Sequence, residues 1–277
     1  MKGLSRKIFT SILALILTGA ALGTGVFAWF TINNTATANG FEGTVEAASG
    51  GFMVSKTGAE GSWATSVTLD DVFSGEFSDL TTVDGINFVK KDGTEAKAGQ
   101  YVEFDLHFAA GAFTNIEATL DITGNSTTWT PDYQGSTEGP VTDFASNAVR
   151  VSFQQNTLVT VFEKAAGTDG NTAGIGEFSK NKAVQYYNKV NPGGIKEADF
   201  GKAGEGVAYV SNIANTVHTG AANVATLGTP SGVTLPEDGY TTYAKVTVRV
   251  WIEGWDQEAY NAILTGKVNI DFSFKAK

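Results

Sequence analysis

Two-residue alternation of apolar and polar side chains recurs in six stretches and constrains this chain more than any other feature. Val102, Phe104, Leu106 and Phe108 are separated by Glu103, Asp105 and His107, and Ile116, Ala118, Leu120 and Ile122 repeat the period. Side chains two apart on an extended backbone project from one face, so such a segment suits a strand with one side on a core and the other in water. Val149, Val151 and Phe153 are followed, across Gln154-Gln155-Asn156, by Leu158, Val159, Val161 and Phe162, which predicts a hairpin. Near the end, Val246, Val248, Val250 and Ile252 alternate with Lys245, Thr247, Arg249 and Trp251, and Val268, Ile270, Phe272 and Phe274 with Asn269, Asp271, Ser273 and Lys275. The expected fold class is all-β, a mostly antiparallel β-sandwich.

Two departures from that period are expected. Between the last two strands, Asp256 suits a helix N-cap, apolar residues through Leu264 fall at helical spacing and Gly266 suits a stop, which predicts a short C-terminal capping helix. Residues from about 165 to 239 are dominated by Gly, Ala, Asn and Ser, with one helical stretch over 178–190. This reads as a long inserted loop region within a single domain spanning 41–277, because few alternating strands are available for a second core.

The amino terminus carries an address. Lys2, Arg6 and Lys7 precede the apolar run from Ile8 to Ile16, and small residues follow from Thr18 to Ala28, the order of a secretory signal peptide. Val26 and Ala28 place small side chains where a signal peptidase reads them, so cleavage between Ala28 and Trp29 is expected, giving a signal peptide over 1–28. Retention as a membrane anchor is the alternative, weakened by Gly19, Gly23 and Gly25 within the span. Removing three cations and no acid takes the net charge from −10 to −13. An acidic surface of that size argues against nucleic acid and anionic lipid as partners. Cysteine is absent, which excludes disulfides, thiolate nucleophiles and thiolate metal sites.

A search for chemistry returns no catalytic, cofactor-binding or metal site, and the chain reads as a non-enzyme. His107 and His218 are the two histidines and neither lies in an HExxH arrangement. GxSxG, GxxxxGK and GxGxxG patterns are missing. In Leu235-Pro236-Glu237-Asp238-Gly239 an Asp occupies the position at which a sortase signal needs Thr. Glu103, Asp105 and His107 share a strand face at intervals of about 7 Å, a spacing open to a metal and equally to an ordinary solvated face. Trp251, Trp255 and Tyr243 suit either a sugar-stacking platform or packing beneath the insertion, and Trp251 has the polar parity of its strand.

The transition Ala28-Trp29-Phe30-Thr31, after a Gly-rich tail and before Asn33-Asn34-Thr35, resembles the SipW-dependent signal peptides of Gram-positive bacteria. Chains bearing that signature include secreted biofilm fibre proteins of the TasA and camelysin (CalY) family, and residues 243–276 are similar to the C-terminal ends of proteins in this group. The resemblance implies a jelly-roll-like sandwich that polymerises outside the cell, with the mature N-terminal segment serving as a strand for the neighbouring subunit. The metallopeptidase label attached to camelysin relatives does not carry over, because HExxH is missing. In this chain Phe30 and Ile32 share a parity with Ala36 and Ala38, and residues 29–41 contain no proline and no charge, so residues 29–40 suit an extended donor strand. The same alternation suits a first strand paired within its own sheet, and the resemblance alone favours donation.

These readings converge on a structural subunit of an extracellular fibre or biofilm matrix. Its partners would be copies of itself in a head-to-tail filament, together with accessory or anchoring matrix proteins. A non-polymerising surface adhesin or carbohydrate-binding protein is the alternative.

Overall fold

Each of the six alternating stretches becomes a strand, and the long ones supply the centres of two sheets. The computed structural model describes residues 41–42, 44–47, 51–73, 77–130, 137, 139–167, 178, 181–190, 194–199, 203–204, 207–208, 216–236, 239–259 and 268–277. Over these residues the chain is mostly β-sheet with one short α-helix. The first sheet runs, in order, β16 (Ala222–Thr226), β8 (Asn115–Gly124), β18 (Val268–Ala276), β2 (Thr44–Ala47) and β4 (Ser66–Thr68), with β1 (Phe41–Glu42) beside the start of β18. The second runs β15 (Val217–His218), β12 (Leu158–Glu163), β11 (Val149–Gln155), β17 (Thr242–Glu253), β5 (Asp79–Thr81) and β6 (Val89–Lys90). In that sheet β7 (Val102–Ala110) lies along the first part of β17, and β3 (Phe52–Ser55) lies outside β7. Two small hairpins, β9 (Ser126–Trp129) with β10 (Val141–Phe144) and β13 (Ala203–Gly204) with β14 (Val207–Ala208), complete the strands.

Inner faces of the two sheets meet through aromatic side chains. Phe272 of β18 packs edge-on against Phe104 of β7 at 6.3 Å and against Phe153 of β11 at 6.0 Å, and Phe274 meets Phe108 at 4.8 Å. Burial of this apolar face at roughly 25 cal/mol per Å² is what holds the sheets together in a chain without disulfides. The hairpin between β11 and β12 closes on Asn156, whose φ of 52° is the left-handed conformation that Asn tolerates better than most residues and a tight turn requires.

The second sheet is covered on its outer side as well. Every residue from Val149 to Phe153 in β11 and from Val250 to Glu253 in β17 is buried, so alternation stops there. The loop after β5 folds over that face, bringing Phe88 to 5.1 Å from Trp251, while the Ser152 hydroxyl donates to the Gly85 carbonyl at 2.6 Å. Trp251 therefore occupies the polar parity of its strand because that side is also a core.

Two expectations change in detail. Within the stretch expected as an inserted loop, the helix expected over 178–190 forms as α1 with the shorter bounds Lys182–Val190, capped by Asn181, whose side-chain oxygen accepts from the Val184 N–H at 3.1 Å. The same stretch also delivers β16, an edge strand that places Val224 and Ala225 in the main core. Of the helix expected from Asp256, residues 256–259 form turns, and the remainder to Leu264 lies outside the described residues. Asp256 nonetheless accepts the Glu258 N–H at 2.9 Å. No helix among the described residues is long and apolar enough to cross a membrane.

Candidate functional site

Ala28 and Trp29 at the expected cleavage point, and Phe30, Ile32, Ala36 and Ala38 of the expected joining strand, lie outside the described residues. What is placed is the point at which the chain enters the sheet. Phe41 and Glu42 pair in parallel with Val268 and Asn269, and Val45, Glu46 and Ala47 with Phe272, Ser273 and Phe274. Residues from 41 onward thus fill the position beside β18 within their own chain. On the other flank β4 pairs with Thr44, Val45 and Glu46, and among the described residues no strand covers the outer side of β1.

The β7 face that carries Glu103, Asp105 and His107 is a ladder of cross-strand partners on β17. Glu103 takes the Arg249 guanidinium at 2.6 Å, Asp105 takes Lys245 at 2.7 Å and the Thr247 hydroxyl at 2.8 Å, and His107 Nδ1 lies 2.7 Å from the Tyr243 hydroxyl. Burial pushes the Asp105 carboxyl up, but the Lys245 and Thr247 hydrogen bonds outweigh it and hold the group below its usual value. Burial, reinforced by Lys245, lowers the His107 imidazole. No group of three or more His, Asp or Glu placed to hold a metal occurs among the described residues. Gly58 closes over His107 at φ +67°, where an added Cβ would fall 2.6 Å from Nδ1. We expect Gly58→Ala to lower stability by about 1–3 kcal/mol in urea unfolding, through the unfavourable backbone conformation and displacement of the ring from Tyr243.

Trp251 and Trp255 are 1 % and 0 % exposed, so neither offers a ring face to a sugar. Between them lies a feature that the alternation hides, a buried charged junction. Arg150 of β11, 5 % exposed, reaches Glu163 of β12 through Nε at 3.0 Å and Asp256 through an Nη at 2.8 Å, and its other Nη donates to the Asn147 and Val149 carbonyls, each at 3.0 Å. Glu253, at the end of β17, accepts the Trp255 N–H at 3.2 Å and the Trp251 indole N–H at 3.4 Å. Asn147 donates to Glu258 at 3.1 Å, and Lys91 pairs with Asp79 at 2.9 Å while lying 5.2 Å from the centre of the Trp255 ring.

Burial raises the Glu253 carboxyl to about 7 and the Asp256 carboxyl to about 6, the field of Arg150 opposing both shifts. Asp79 is raised by burial too, against the pull of Lys91. Such an arrangement can take up protons near neutrality and can tie together the elements that contribute to it. Sequence reasoning missed it because Arg150, Glu163 and Glu253 occupy positions that read as solvent-facing. Trp251, with its polar parity, was the available signal that this part of the sheet has a second covered face. No protein-family model, no curated protein and no solved structure matches the chain.

Proposed function

We propose that this chain is a secreted structural subunit of an extracellular fibre or matrix, a jelly-roll-like sandwich whose residues 29–40 join it to the next copy. The observation that supports this reading most directly is the entry of the chain into its sheet. Phe41 pairs with Val268, the first residue of β18, and β1 and β2 then run along β18 in its own direction. A preceding segment that continued extended would leave the sheet at the end where β18 begins, and twelve residues would carry it up to about 40 Å. A strand added to a second copy in this manner makes a head-to-tail contact that does not close on itself and therefore propagates. Charge and composition agree with this role, since a net charge of −13 after cleavage keeps free subunits soluble.

The test compares two forms by negative-stain electron microscopy, one beginning at Trp29 and one at Phe41, at matched concentration. The shorter form keeps β1 and every strand of both sheets. Filaments from the longer form and monodisperse particles from the shorter are the expected result. Single particles from both would defeat self-assembly and favour an adhesive role, whereas filaments from both would move the joining contact away from residues 29–40.

A further inference from the structure

We infer that the Gln155 side chain stands in for a missing strand beside β16 and keeps a second copy of this chain from pairing with that edge. β16 is the outer strand of the first sheet, and its sequence, Ala-Asn-Val-Ala-Thr, has neither a charge nor a proline. Charge and proline are common devices by which exposed edges refuse another strand, so an edge of this composition needs a different one. The backbone shows which of its groups are at stake. Leu227, just past β16, donates its N–H toward β8, to the Thr114 carbonyl at 2.8 Å. Successive residues of an antiparallel strand point their backbone groups to alternate sides, so the N–H and carbonyl of Thr226 point away from β8, where a further strand would lie.

One side chain takes both groups. Gln155, the last residue of β11 in the opposite sheet, accepts the Thr226 N–H on Oε1 at 2.7 Å and donates from Nε2 to the Thr226 carbonyl at 2.8 Å. A side-chain amide carries an acceptor and a donor as a peptide group does, so these two bonds reproduce what a neighbouring strand would offer Thr226. Upstream, the ladder with β8 shifts register between Asn223 and Ala225, and on the far side of that bulge the Asn223 carbonyl accepts from the Thr160 hydroxyl of β12 at 2.8 Å. The bulge divides the edge into two short stretches, and each is held by a side chain from the second sheet.

Two other edges are closed by backbone instead. Val54 of β3 exchanges N–H to carbonyl bonds with Ala64 at 2.8 and 2.9 Å, just before the chain passes into β4. Beside β6, Lys90 donates to the Thr94 carbonyl at 2.8 Å and Ala96 to the Phe88 carbonyl at 3.0 Å. Of these three edges, β16 is the one that a single substitution can open. The occupant that opening admits is a second copy of this chain. Its own β16, laid antiparallel about a twofold axis, presents the same outward N–H and carbonyl, so the contact is self-complementary and needs no other protein. Nothing in this depends on residues 29–40, and it holds whether or not they join copies.

The test compares the chain beginning at Trp29 as wild type and as Gln155→Ala, from about 10 μM to about 1 mM, a range that captures weak pairing. Exchange of the Thr226 amide is read by mass spectrometry with residue-level fragmentation, and assembly by sedimentation and electron microscopy. In the wild type that amide should be protected at every concentration. In Gln155→Ala it should exchange about tenfold faster at the lowest concentration, through loss of one hydrogen bond, and regain protection at the highest as a second copy pairs. Assembly should change in step: dimers of the variant where the wild type is single particles, or side-by-side bundling of the variant where the wild type forms filaments. Since both chains carry the same residues 29–40, the difference between them reports the edge alone, and the wild type alone reports the joining segment. A Thr226 amide that exchanges freely in the wild type, or equally slowly in both chains, overturns the role of Gln155. Free exchange in the variant at every concentration, with assembly unchanged, overturns the exclusion of a second copy. Gln155→Met, which keeps the reach of the side chain without its amide, repeats the comparison if truncation disturbs the hairpin, with the same expected and overturning results.

Discussion

Arg150→Met should lower the unfolding free energy by about 3–5 kcal/mol, the loss expected when one partner of a buried ion cluster is removed and the others stay behind. The guanidinium is 5 % exposed and serves Glu163, Asp256 and two backbone carbonyls at once. Methionine matches its reach and fills the space, so the loss comes from stranded carboxylates rather than from a cavity. Arg150→Lys retains the charge but cannot span both acids, because a single ammonium lacks the planar fork, and should fall between the two. Urea unfolding near pH 8 is the measurement. Repeated near pH 5 it should show a smaller deficit, since Asp256 and Glu253 then carry protons and no longer demand a cation. The double variant Arg150→Met with Asp256→Asn should cost less than the sum of the single changes, because the two side chains share one interaction. A single-variant loss under about 1 kcal/mol would mean that water reaches the cluster and that it does not tie β11, β12 and the turn after β17 together.

How much of this molecule can be read from its sequence depends on how local each feature is. The alternation at 102–108, 116–122, 149–162, 246–252 and 268–274 anticipates β7, β8, the β11 and β12 hairpin, β17 and β18, because each strand needs only its own period and one covered face. Pairing is different. β17 and β18, neighbours in sequence and alike in pattern, lie in opposite sheets, and β18 accepts β1 and β2 in parallel from the other end of the chain. Neither partnership leaves a mark within eight or nine residues. β16, with the sequence Ala-Asn-Val-Ala-Thr, was hidden in the expected insertion because its small side chains make a weak pattern, yet Val224 and Ala225 are fully buried. The charged junction was hidden for a further reason. A polar residue at an outward position is read as solvated unless something is known to cover it, and the partners over this part of β11 are remote in sequence, Asp256 lying 106 residues from Arg150 and Gly85 lying 67 residues from Ser152. The ladder on β7 shows the converse, since Glu103, Asp105 and His107 were read as one face and do share one, with partners on β17 that the sequence also placed on the polar parity.

Phe272→Ala should be the most damaging single truncation in the apolar core, at about 3–5 kcal/mol. The side chain is fully buried at the centre of β18, flanked by Leu120 on β8 and Val45 on β2, and it reaches across to Phe104 and Phe153 in the opposite sheet. Its removal opens a void that three strands of one sheet and two of the other would have to collapse into. Paired backbones hold those strands at fixed spacing, so collapse is incomplete and both the transfer and the cavity terms are felt. Phe272→Leu, which retains most of the volume, should cost nearer 1–2 kcal/mol, and Val83→Ala, at a side chain 55 % exposed, should stay within about 0.5 kcal/mol. Urea midpoints with an unchanged slope would establish that the folded and unfolded states keep their extents. A second readout follows from position: β2 rests on β18 through Val45 opposite Phe272, so amides over residues 44–47 should lose exchange protection in Phe272→Ala before those of β11. Loosening that pair loosens the strand that follows residues 29–40, and under the proposed joining role of those residues such a variant, in the longer form, should assemble into fewer filaments even at temperatures where it remains folded. A loss below about 1 kcal/mol, with filaments at wild-type yield, would mean that the sheets do not close over this side chain and that the entry strand is anchored elsewhere.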